Sequence, residues 1–195
     1  VLIDPGHSKI FGHVRDGLSQ LGLKPEDIGL IICTHAHLDH IEGVALFNKT
    51  PAHPPTLIAI HESAWQFVKR MGRYVNATFG KADGETGPDF FIKEGDLSVG
   101  GIRIDVFHTP GHSPGSVCLY LPDQKLLFTG DLIFKAGIGR TDIPGGISTQ
   151  LKESIQRVSE MDIEWILPGH GDVVSGKQDV KANFDHIKRF WFNYL

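Results

Sequence analysis

A chain of 195 residues with 41% hydrophobic and 22% charged residues has apolar material for a folded core, not the composition of a disordered chain, and its length points to a single domain over residues 1–195. Its formal charge is −4, with 19 basic against 23 acidic residues, and no basic run exceeds Lys188-Arg189, which argues against a nucleic-acid partner. No apolar stretch approaches the ~18 residues of a membrane span, and the two cysteines, Cys33 and Cys118, lack C-x-x-C spacing, so a reduced, cytoplasmic protein with no membrane attachment is expected.

The chain begins Val1-Leu2-Ile3 without an initiator Met, which leaves a removed N-terminal segment open. Apolar runs bounded by turn residues predict strands at Val1–Asp4, Ile28–Cys33, Thr56–Ile60, Ile102–His108, Ser116–Leu121, Lys125–Thr129 and Ile163–Leu167. Helical spacing appears at Val14, Leu18 and Leu21, and at Ala64, Phe67, Val68, Met71 and Val75. It recurs at Leu151, Ile155 and Val158 behind Ser148 as N-cap, and at Val180, Phe184, Ile187 and Trp191. Pro122-Asp123-Gln124-Lys125 between two β-rich runs reads as a hairpin, so mixed sheets with outer helices are expected. Gly80–Asp89 and Gly137–Gly146 read as long loops, the second as a functional one.

Eleven histidines matter here for their placement. The strand ending at Cys33 runs into Thr34-His35-Ala36-His37-Leu38-Asp39-His40, a density of imidazole and carboxylate that packing does not explain. His35 and His37 share a side in extended backbone and can share one ion, while Asp39 and His40 reach a neighbouring one; a helix is expected just after them, over Ile41-Glu42-Gly43-Val44. The pattern of strand, small or stiff turn, then donor repeats at Thr109-Pro110-Gly111-His112, Thr129-Gly130-Asp131 and Pro168-Gly169-His170. Five imidazoles and two carboxylates exceed the three protein ligands of one catalytic zinc, so two ions with one bridging carboxylate fit. Nitrogen and oxygen donors suit zinc first, with iron or manganese as alternatives. Asp131 has a rival reading as a turn or capping residue, and His7, His13, His53, His61, His108 and His186 read as ordinary histidines.

These segments, in this order, resemble the metallo-β-lactamase superfamily, from about Val1 almost to the C-terminus. The resemblance implies an α/β fold, an αββα sandwich of two mixed β-sheets flanked by helices with metals at one edge, and part of the N-terminal sheet missing ahead of Val1–Gly6. It implies His35, His37 and His112 for a first ion, Asp39, His40 and His170 for a second, and Asp131 as the bridge. The loop Phe134–Gly146 is similar to small glyoxalase II-like (hydroxyacylglutathione hydrolase-like) enzymes. That implies two divalent ions and a metal-bound hydroxide cleaving a small-molecule thioester or ester, with Asp39 orienting the hydroxide or accepting its proton. Lys135 and Arg140 are candidates for gripping a substrate carboxylate, against a reading as solvent-facing charges.

The β-lactam-hydrolysing members mostly lack a carboxylate where Asp131 stands, and the RNA-processing members carry a basic surface that this chain lacks. Arg140-Thr141-Asp142 also resembles persulfide dioxygenases, which use one iron, and a lactonase would use the same hydroxide on a cyclic ester. A non-catalytic metal-binding domain is disfavoured, since structural zinc sites close with four ligands and often use Cys. Oligomeric state is not written in the sequence.

Overall fold

The computed structural model describes residues 1–48, 55–70, 75–80 and 86–195. His53, Met71 and residues 81–85 of the predicted Gly80–Asp89 loop lie outside them. The chain divides into two compact units, Val1–Ile92 and Lys93–Leu195.

In the first unit β1 (Leu2–Ile3) is followed by α1 (Phe11–Gln20), β2 (Leu30–Cys33), α2 (Leu38–Ile41), α3 (Val44–Asn48), β3 (Leu57–His61), α4 (Glu62–Arg70), α5 (Val75–Phe79) and β4 (Phe90–Ile92). The strands lie side by side in chain order, and every neighbouring pair is parallel. This corrects the expected mixed sheet. Each link between consecutive strands contains helix, and a helical crossover returns the chain to the starting end of the sheet, which a tight turn cannot do. β2 is buried at all four positions, and its unbroken Leu-Ile-Ile-Cys run is what a strand covered on both faces requires. Ile31, Ile58 and Ile60 share a core with Ile41, Phe47, Val68 and Phe79, and Phe11 meets Phe47 edge-on at 5.3 Å.

The second unit runs β5 (Gly95–Val99), β6 (Ile102–His108), β7 (Val117–Leu121), β8 (Leu126–Gly130), β9 (Ile133–Phe134), β10 (Gly137–Ile138), α6 (Ser148–Val158), β11 (Trp165–Pro168), β12 (Val174–Ser175) and α7 (Lys177–Phe190). Its main sheet is mixed, as expected, in the order β12-β11-β8-β7-β6-β5, and β9 with β10 forms a separate hairpin. The predicted β7–β8 hairpin is present; its 3-10 turn over Pro122–Gln124 ends on Lys125 in the left-handed region, φ 50. β6 and β8 are both antiparallel to β7, and β11 is parallel to β8. The C-terminal ends of β6, β8 and β11 therefore share one edge of this sheet.

α6 and α7 bury Leu151, Ile155, Phe184 and Ile187 with Leu127 and Ile166 of the sheet. Ser148 is not the N-cap of α6, a role that falls to Ile147; its hydroxyl is 2.8 Å from that of Thr141 and so is committed to the preceding loop. Both cysteines are unbridged and buried. Burial pushes the Cys118 thiol up to about 12 and raises that of Cys33 as well, as suits inert core residues. No helix among the described residues is long and apolar enough to cross a membrane.

Candidate metal centre

Because β1 and β2 run parallel, Asp4 and the Thr34–His40 segment leave the first sheet at the same end. Asp4, at φ 50, is the organiser of this group of donors. Its Oδ1 accepts from the Thr34 backbone N–H at 2.7 Å and its Oδ2 from the Thr34 hydroxyl at 2.6 Å. The same Oδ2 lies 2.8 Å from His40 Nδ1. An ionised carboxylate only accepts, so Nδ1 of His40 carries the proton and Nε2 holds the lone pair. Thr34 Oγ1, having donated to Asp4, can accept from His35 Nδ1 at 3.1 Å, which sets the same tautomer in His35.

The His35 ring stands 4.8 Å from that of His37 and 4.0 Å from that of His40, centroid to centroid. One side-chain nitrogen or carboxylate oxygen from each of Asp4, His35 and His40 falls within 4.8 Å of the others. His40 Nε2 and Asp39 Oδ2 are 3.8 Å apart. The helix expected after the motif begins inside it, at Leu38, so Asp39 and His40 ride on its first turn. The loop before α1 straps this turn down. Gly43 N–H donates to the Gly6 carbonyl at 2.8 Å, and Glu42 accepts from the Ser8 backbone and hydroxyl and meets His7. The Ser8 hydroxyl above all holds the Glu42 carboxyl below its usual range.

Another group of donors stands at the shared strand edge of the second unit. Asp131 follows β8, and its Oδ2 lies 3.5 Å from His112 Nε2 and 3.6 Å from His170 Nε2. These separations are too long for hydrogen bonds. They match the spacing of two donors around one tetrahedral ion, about 3.4 Å for metal–ligand bonds of ~2.1 Å. One carboxylate oxygen thus stands at this spacing from two imidazoles. His112 Nδ1 is 2.8 Å from the Arg140 carbonyl, which can only accept, so His112 too presents a lone pair at Nε2.

Glycines allow these approaches. A Cβ at Gly139 would overlap the Asp131 carbonyl, and one at Gly111, where φ is +134, would overlap the backbone of Leu151. A bulge between Leu167 and Pro168 and the bond from Gly169 N–H to the Gly130 carbonyl, 2.8 Å, set His170 beside Asp131. His112 and Asp131 are nearly buried, at 5% and 11% side-chain exposure, while His170 is 51% exposed.

Of the predicted donors, His35, His37, Asp39 and His40 are gathered in the first unit, and His112, Asp131 and His170 in the second. The donor chemistry of each group, neutral imidazole Nε2 and carboxylate oxygen, fits zinc, iron or manganese. Lys135 and Arg140 are solvent-facing and engaged by acidic neighbours: Lys135 Nζ is 3.1 Å from Asp172 Oδ2, and Arg140 makes a two-pronged pair with Asp142, 2.9 Å at each bond. His61 accepts from the Ser63 backbone, His108 meets the Pro114 carbonyl, and His186 stacks on Phe190. Asp4 was missed in the sequence, although Ile3-Asp4-Pro5-Gly6 shares the strand, acid and Pro/Gly turn of the other donor segments.

The family model of the metallo-β-lactamase superfamily matches residues 1–170. The chain belongs to that superfamily. A protein of Aquifex aeolicus, described as uncharacterised, is 35% identical over 81% of this chain and 71% of its own length. Proteins described as "probable metallo-hydrolase" come from Methanocaldococcus jannaschii, 33% identical over 89% of this chain and 83% of the relative, and from Bacillus subtilis, 32% identical over 88% and 79%. Among solved structures, the BLEG-1 B3 metallo-β-lactamase aligns with a TM-score of 0.72 at 29% identity, covering 93% of this chain and 85% of that one. TTHA1623 in a di-iron-bound form aligns with a TM-score of 0.69 at 28% identity, covering 96% and 85%. The chain has the metallo-β-lactamase fold.

Proposed function

We propose that this chain is a metal-dependent hydrolase of thioesters or esters, glyoxalase II-like, in which His35, His37, Asp39, His40, His112, Asp131 and His170 act as one donor set for two divalent cations. His35, His37 and His112 serve the first ion and Asp39, His40 and His170 the second. The observation that carries the reading is the single Asp131 oxygen standing at ligand-to-ligand spacing from both His112 Nε2 and His170 Nε2. Support also comes from the relatives described as metallo-hydrolases and from the di-iron form of a solved neighbour. When bound, such ions lower the pKa of water toward ~7 and polarise a carbonyl oxygen.

The chain's own residues supply the rest. Asp131 Oδ2 shares its charge between the two positions. Asp39, with its side chain 48% exposed, accepts the proton of the attacking water at its carboxylate while remaining in the donor set. Asp4 and the Arg140 carbonyl keep His40 and His112 in the ligating tautomer, so no proton has to leave Nε2 when an ion arrives. The carboxylate oxygen shared between two imidazoles favours two ions over the single iron of the persulfide dioxygenases.

The test is turnover of S-lactoylglutathione by zinc-, iron- and manganese-reconstituted protein, with nitrocefin, a simple lactone and oxygen uptake on glutathione persulfide measured beside it. Thioester cleavage that disappears in a folded Asp39→Ala variant is expected. Oxygen uptake without cleavage would replace this reading with the dioxygenase, and full activity of Asp39→Ala would remove the proton-accepting role.

A further inference from the structure

Ala136, at the tip of the β9–β10 hairpin, is a non-glycine residue in the left-handed region, φ 58, a conformation that persists only where surroundings enforce it. The enforcement comes from α7 and the residue that follows it. Ala136 N–H donates to Asn183 Oδ1 at 2.7 Å, Asn183 Nδ2 donates to the Phe134 carbonyl at 3.0 Å, and Trp191 Nε1 donates to the Ala136 carbonyl at 2.9 Å. Asn183 is 7% exposed, so its buried amide spends both ends on this turn. The hairpin is thereby pinned at three points by side chains 47 to 55 positions further along the chain.

The pinned turn presents two side chains to the segment that bears His170. The Phe134 ring lies 6.0 Å from the His170 imidazole, tilted by 59°, and Lys135 Nζ lies 3.1 Å from Asp172 Oδ2, two residues beyond it. That segment is weakly constrained by its own sequence: glycines flank His170 on both sides, Gly171 has φ +80, and His170 is by far more exposed than His112.

We infer that Asn183 and Trp191 are positioning residues for His170, acting through the β9–β10 turn, and that this clamp governs how tightly the second cation is held without affecting the first. The inference rests on the two-cation reading proposed above. Every ligand keeps its identity; what changes on releasing the turn is how often His170 faces Asp131.

The test is calorimetric titration of metal-stripped protein with zinc, for the parent, for Trp191→Phe, which keeps the ring and loses the donor, and for Asn183→Ala, which loses both bonds to the turn. The indole N–H resonance of Trp191, assigned by its loss in Trp191→Phe, is followed in the parent. Expected are two equivalents in the parent, a second equivalent weakened tenfold or more in both variants with the first unchanged within twofold, and an indole shift that accompanies the second equivalent alone. Trp191→Phe carries the test if Asn183→Ala does not fold. Two equivalents of parental affinity in the variants, or an equal weakening of both, would overturn the clamp while leaving the two-cation reading intact; a single equivalent in the parent would overturn both.

Discussion

Three imidazoles have their ligating tautomer fixed in advance: His40 by Asp4, His35 by Thr34 and His112 by the Arg140 carbonyl. A histidine whose Nδ1–H is already engaged has no tautomeric rearrangement to make on ligation, and partners of this kind are worth 10- to 100-fold in metal affinity. Asp4→Asn tests the point with little loss of volume. Oδ1 can still accept from Thr34 N–H, but an amide nitrogen now faces His40 Nδ1, and the imidazole must turn its proton to Nε2. Zinc affinity measured by competition with a chromophoric chelator is expected to fall about 10- to 100-fold, with the far-ultraviolet circular dichroism of the parent. An unchanged affinity would mean that His40 is not oriented through Asp4.

At the scale of elements, donor placement depends on strand ends and on what packs behind them. Gly111 precedes His112 and lies against the first turns of α6, where φ of +134 and the Leu151 backbone leave no room for a Cβ. Gly111→Ala is expected to lower stability by roughly 2–4 kcal/mol and to reduce bound metal, read by thermal unfolding and elemental analysis. A variant with parental stability would show that the His112 turn is not packed against α6 as described. The turn segments at His112, Asp131 and His170 were legible because strand, stiff turn and donor are all local in sequence. The parallel order of β1 to β4 was not, since pairing is set by which faces the intervening helices bury and not by any strand's own residues. β5 escaped because its alternating Gly-Asp-Leu-Ser-Val is an edge strand with little burial; the Gly100-Gly101 pair at φ +59 and +82 that closes it onto β6 was the available signal. Ser148 misled because a hydroxyl near a helix start can serve the preceding loop as well as the helix.

For the whole molecule, the donors are divided: four of the seven belong to Val1–Ile92 and three to Lys93–Leu195. The family match runs across both, over residues 1–170, and ends on the last predicted ligand. Neither group alone has the donors for two ions with three protein ligands each, so the proposed function draws on both groups, with Asp131 common to the two ions. Elemental analysis of purified parent protein and of Asp131→Asn, after reconstitution in excess zinc and removal of loosely held metal, tests this most directly. Two equivalents per chain are expected in the parent and at most one in the variant. Fewer than two in the parent, or two retained without the Asp131 carboxylate, would contradict the proposed function.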